Sequence, residues 1–146
     1  MGTITRKNKS RRLLIGLGLA LSLSPEIVAL PSYSDVKLQI EYAFLNKRDF
    51  GNKLPMDTYV HYGNYTDHQM DGDIGWTIKR QDGTFEIAID EKTNPTWRQT
   101  DLTLIHEMCH VKTWDYVRAH NEDVHGHAFQ ACMMEQAMSG HLEDLW

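Results

Sequence analysis

"LIHEMCHVKTW", residues Leu104–Trp114, contains His106, Glu107 and His110 in the order H-E-x-x-H. Leu102, Ile105, Met108 and Cys109 surround them, a pattern that suits a helix packed into a core. On a helix, residues four apart differ by about 40° around the axis, so His106 and His110 point the same way, about one turn apart. Two imidazoles so placed can hold one Zn²⁺ at roughly 2.0–2.1 Å each. Glu107 is turned by about 100° from the first histidine, close enough to reach a water on the metal without being a ligand itself. Zinc lowers the pKa of such a water, and Glu107 can take the proton and deliver it to a leaving amine. The chain has 8 histidines, which raises the odds of a chance match. The apolar setting counts against chance, because a carboxylate among core residues is costly without a partner such as a metal and its water.

A catalytic zinc that keeps an open position needs a third protein ligand. A metzincin would place a glycine three residues after His110 and a histidine three further on, but Thr113 and Tyr116 stand there. A glutamate-type site could use Glu122 or Glu135. The segment "VHGHAFQACM", 124–133, offers His125 just before a last helix, with His127 two residues on and His120 in the preceding connection. Gly126 permits a tight backbone approach after His125, and Phe129 can pack inward and set the angle of the loop.

The flanking pattern reads as α+β. Residues 35–50 place Val36, Ile40, Ala43 and Phe44 on one helical stripe, with Asp35 as N-cap and Gly51-Asn52 as the stop. "TYVHY", 58–62, alternates as a strand does. Residues 63–73 form a polar loop, whose three aspartates do not have EF-hand spacing. "GWTIKR" and "TFEIAID" flank Asp82-Gly83 and read as a β-hairpin. After Asn94-Pro95, one helix begins near 96–100 and runs to about Tyr116. Residues 117–125 connect to a last helix, about 127–139, which ends at Gly140. The expected layout is a small, mostly antiparallel sheet packed against the H-E-x-x-H helix and flanking helices. His61 and His68 read as structural or surface residues, Tyr62 and Tyr116 as packing residues, and Trp76 and Trp97 as core or cleft walls.

"LTLIHEMCHVKTW" followed by "HGHAFQACM" resembles the SprT-like zinc metallopeptidases, the group that includes the Spartan proteases. "GDIGWTIKRQDGTFEIAID" is similar to that family's hairpin before the active-site helix, so the resemblance spans about residues 36–140. It implies a zincin-like fold, His106, His110 and His125 as zinc ligands, Glu107 as general base, and a protein or peptide substrate. The expected position of that substrate is extended along an edge strand, 84–90. The sequence departs from the best-known members in three respects: it carries no cysteine-rich zinc ribbon and no basic tail after the domain, the domain is acidic, and an export signal precedes it. Their action on DNA-bound protein in the cytoplasm is therefore the alternative to an exported peptidase. A non-catalytic module with four zinc ligands, His127 or Cys132 being the fourth, is a second alternative.

The N-terminal segment, 1–34, reads as a signal peptide or, if uncleaved, a membrane anchor. "RKNKSRR" precedes the short apolar run "LLIGLGLALSL", and small residues follow at Ser32-Tyr33-Ser34, where cleavage near Ser34 is expected, with Ile27-Val28-Ala29 as a second candidate. The twin arginines allow either export route. Residues 35–146 then form one domain with 10 Lys and Arg against 19 Asp and Glu, a net charge of −9. That balance lacks the basic footprint of a nucleic-acid binder. Contact with a membrane is expected only through the N-terminal segment. Cys109 and Cys132 both fall in expected helices and read as two buried thiols, with a bond between them open only if the chain is exported.

Overall fold

The computed structural model describes residues 32–63 and 73–143. The expected signal segment therefore lies outside the described residues up to Pro31, as do His68 and nearly all of the 63–73 loop. The element order is α1 (Tyr33–Asp49), β1 (Tyr59–Tyr62), β2 (Gly75–Lys79), β3 (Phe85–Ile89), α2 (Trp97–His120) and α3 (His127–Met138). No helix among the described residues is long and apolar enough to cross a membrane.

The fold is α+β, with three helices on a three-stranded sheet. The sheet is mixed, not mostly antiparallel. The β2–β3 hairpin is antiparallel, but β1 pairs with β3 in parallel, Tyr59 opposite Glu86 and Tyr62 opposite Ile89. Strand order is β1-β3-β2, so the 84–90 segment is central and cannot take a peptide along a free edge. Its residues explain the placement. Phe85, Ile87, Ala88 and Ile89 are all buried, and a strand covered on both faces belongs inside a sheet. At the hairpin turn Gly83 has φ +90°, where a side chain would be strained, and Asp82 accepts hydrogen bonds from the Thr84 backbone and hydroxyl.

The first helix starts earlier than the sequence suggested and turns its other face inward. Ser32 is its N-cap, and Asp35 is the third helical residue of a reciprocal capping box. Val36, Ile40 and Phe44 are exposed, Ile40 by 64%, while Leu38, Tyr42, Leu45 and Asn46 are buried. The inward face includes polar groups with assigned tasks. Asn46 bonds to both backbone groups of Leu54, Tyr42 donates to the Pro55 carbonyl, and Gln39 bridges the Thr58 carbonyl and the Val60 amide. An apolar stripe alone could not reveal that face.

The second helix runs four residues past the expected end and closes at Asn121, which adopts the left-handed conformation. Its Leu104, Ile105 and Met108 meet Leu38 and Leu45 of α1 and Ile87 and Ile89 of β3 in one core. Cys109 and Cys132 are not two thiols: they form a disulfide that ties α2 to α3, with Cα atoms 5.8 Å apart. Both sulfurs are buried, so the expectation of burial holds and that of free thiols does not.

Candidate metal centre

Three imidazoles converge between α2 and the turn before α3. The Nε2 atoms lie 3.2 Å apart for His106 and His110, 3.2 Å for His110 and His125, and 3.3 Å for His106 and His125. Three nitrogens at zinc-ligand distance from one tetrahedral ion would lie about 3.3 Å from each other, so the triangle fits such an ion. The arrangement is compatible with a metal ion, and among the described residues these three form the one such group of His, Cys, Asp or Glu. Burial and the neighbouring histidines lower the pKa of His110 to about 4, and burial with His125 nearby lowers that of His106. Both rings are thus neutral at pH 7, the state in which an imidazole can ligate.

Each ring is held in place from below. Phe129 of α3 lies beneath all three, with its centroid 4.7, 4.4 and 4.9 Å from those of His106, His110 and His125. The turn carrying His125 is fixed by its own hydrogen bonds: the His125 amide donates to Asp123 and the Gln130 side chain donates to the His125 carbonyl. Glu122 accepts from the first amides of α3, His127 and Ala128, a favourable place for a carboxylate. Gly126 is required by proximity. A Cβ there would stand 2.8 Å from the Asp123 carbonyl oxygen and 2.7 Å from Glu122 Cγ. The disulfide adds a covalent tie one residue from His110 and three from Phe129.

Glu107 is 2% exposed and faces β2. Thr77 donates to its carboxylate at 2.8 Å. Burial, and secondarily the Asp73 charge, push its pKa up to about 7 despite that hydrogen bond. A carboxyl poised there suits proton exchange near neutral pH. Gly75 makes room for it, since a Cβ at that position would sit 2.9 Å from Glu107 Oε1 and 2.6 Å from Thr103 Cγ2. Sequence reasoning missed both Thr77 and Gly75. Their i, i+2 spacing puts them on one strand face, but nothing local says that this face meets the helix.

The other sequence candidates are engaged elsewhere. Glu135 pairs with Lys112, His120 stacks on Tyr116, and the His127 side chain is outside the triad. His61 is bonded to Glu86 at 2.8 Å, Tyr62 lies 3.4 Å from Thr100, and Tyr116 is exposed. Trp76 does line the site, whereas Trp97 is an exposed residue at the start of α2.

An open cleft of about 690 Å³ leads to the three histidines and Glu107. Beyond them it is walled by β2 on one side and by Trp114, Val117 and Val124 on the other. A model of the SprT-like family matches residues 45–143, and the chain belongs to that family. No curated protein and no solved structure matches it.

Proposed function

We propose that this SprT-like chain is a zinc-dependent metallopeptidase with a zincin-like active site. The observation that carries the reading is the triangle of Nε2 atoms with the buried Glu107 carboxylate beside it. His106, His110 and His125 would hold Zn²⁺, which when bound polarises a carbonyl and acidifies water. Glu107 acts as general base, receives the proton of the attacking water, and passes it to the amine as the peptide bond breaks. Thr77 keeps the carboxylate aimed, and Phe129 and the disulfide hold the ligand rings in register. The substrate is a protein or peptide lying in the cleft beside β2, rather than along β3.

Two features support catalysis over a purely structural zinc. Cys132 is bonded to Cys109 and His127 stands outside the group, so neither suggested fourth ligand is in place. Glu107 also lines the open cleft with the three histidines without being one of the ligand group, the place of a base and not of a structural ligand. The disulfide favours an exported protein over a cytoplasmic one acting on DNA-bound protein, as such bonds persist in oxidising compartments. Export further suggests processing after Ala29. Cleavage after Ser34 would remove Ser32, the cap of α1.

Metal analysis of the purified domain with a casein assay tests the reading. One zinc per chain and measurable hydrolysis are expected. Glu107→Gln should keep the zinc and lose activity by roughly 10²–10⁴-fold. Near-normal hydrolysis by that zinc-loaded variant would remove Glu107 from the mechanism.

A further inference from the structure

The cleft has opposite charges at its two ends. β2 runs alongside α2: Gly75 approaches Thr103 and Glu107, Thr77 donates to Glu107, and Lys79 pairs with Asp115 further along. Asp73 therefore marks one end of the cleft, and Arg118 lies at the other. Between His110 and Arg118 the α2 part of the lining is mainly apolar, Trp114 and Val117 with Thr113, and Val124 also lines the cleft. The Arg118 guanidinium sits 4.9 Å over the Trp114 ring. It forms no ion pair with a carboxylate among the described residues. Its nearest acidic neighbours in sequence are occupied: Asp115 with Lys79, Glu122 with the start of α3, and Asp123 with the His125 amide.

An arginine stacked on an indole, facing an apolar cleft and lacking an acid, is suited to a planar anion. The surroundings add selectivity. Residues 35–146 carry a net charge of −9, which repels anions at most other positions. Arg118 follows His110 by eight residues, which is about 12 Å along the helix. An extended peptide covers about 3.3 Å per residue, so with the arginine's own reach the anion falls some two to four residues from the scissile bond.

We propose that Arg118 is a specificity determinant that binds a substrate carboxylate, with the intervening apolar wall taking an apolar side chain. The carboxylate belongs either to an acidic side chain or to a free C-terminus. The proposal rests on the peptidase reading only for the identity of the ligand as a peptide.

The test uses binding, so that it does not depend on turnover. Labelled peptides containing one leucine are titrated into the zinc-loaded Glu107→Gln protein by fluorescence anisotropy. One set is amidated and neutral, one has a free C-terminus two to four residues from the leucine, and one is amidated with glutamate at those positions. At least one carboxylate peptide should bind about tenfold more tightly than its neutral counterpart, as expected for a charge-assisted pair. Adding Arg118→Gln should abolish that advantage and Arg118→Lys should keep part of it. The set that gains identifies the source of the carboxylate. Equal binding of all peptides, no binding, or an advantage that survives Arg118→Gln would overturn the proposal. Casein hydrolysis by the unmutated protein reads the peptidase assignment separately. A carboxylate preference without hydrolysis would support the subsite and refute the enzyme, and hydrolysis without the preference would do the reverse.

Discussion

Around α2 and around α1 the chain buries polar groups to different ends. On α2, Glu107 is buried and His106 and His110 are half-buried, and burial pushes the pKa of Glu107 up to about 7. On α1, buried Asn46 and Tyr42 and half-buried Gln39 serve the backbone of residues 54–60, and every one finds a partner. Burial perturbs Glu107 beside the three histidines, whereas the polar groups on the inner face of α1 are all hydrogen-bonded. The two faces should respond to mutation in different currencies, metal and activity in one and stability in the other.

The largest effect expected is on the metal. His125→Ala should weaken zinc binding by more than the 10–100-fold that loss of a supporting contact costs. His127→Ala should leave binding nearly unchanged, because that ring is outside the triad. Competition with a chromogenic chelator measures both. Equal losses would mean that the turn before α3 is held differently.

Next is the tie between α2 and α3. Replacing Cys109 and Cys132 together by alanine should cost roughly 3 kcal/mol, the value for a loop of this length in the chain-entropy account. Thermal melts with and without reductant check it. A parent protein whose melting is unaffected by reductant would indicate free thiols, and the argument for an oxidising compartment would go with them.

The α1 face gives a sharper internal control. Asn46→Ala leaves the buried Leu54 amide and carbonyl without their partner, at a cost of roughly 2–3 kcal/mol. Ile40→Ser, on the exposed stripe, should change stability by no more than about 0.5 kcal/mol. Urea denaturation of the two variants decides it. The reverse order would restore the stripe first inferred from the sequence as the buried one.

That reversal explains which parts of the molecule were legible. The convergence of His106 with His110 could be read from their spacing on a single helix, and the place of His125 beside them from the glycine and phenylalanine that follow it. The hairpin was legible from Asp82-Gly83 and two β-rich flanks. The inward face of α1 was not, since its buried amides resemble surface residues until their partners at 54–60 are known. Nor was the parallel pairing of β1 with β3, which joins strands that are not neighbours in the chain. One signal was available: "FEIAI" is apolar at four of its five positions, more than a half-exposed edge strand needs. Thr77 and Gly75 became site residues only when β2 was laid against α2.

The smallest effect expected concerns Asp101, where the two regions meet. This α2 residue faces Glu41, Arg48 and Asp49 of α1, and its Oδ1 is enclosed without a hydrogen-bond partner. Burial first, then Glu41 and Asp49 against the opposing Arg48, push its pKa up from 3.8 to about 7. A carboxyl whose pKa is raised on folding binds its proton more tightly in the folded state, so its ionisation opposes folding. The penalty is absent below about pH 4, grows as pH rises from there to about 7, and is complete above that. Asp101→Asn keeps the shape and stays neutral throughout. It should therefore stabilise the protein at pH 8 and leave it unchanged at pH 4. Because the residue is partly exposed, solvent screening limits the gain to about 1 kcal/mol. Melts of variant and parent at both pH values isolate the effect, since the other titrating groups are common to the pair. A gain equal at pH 4 and pH 8 would point to packing. A loss at pH 8 would mean that the ionised carboxylate is paired with Arg48 and contributes to the junction.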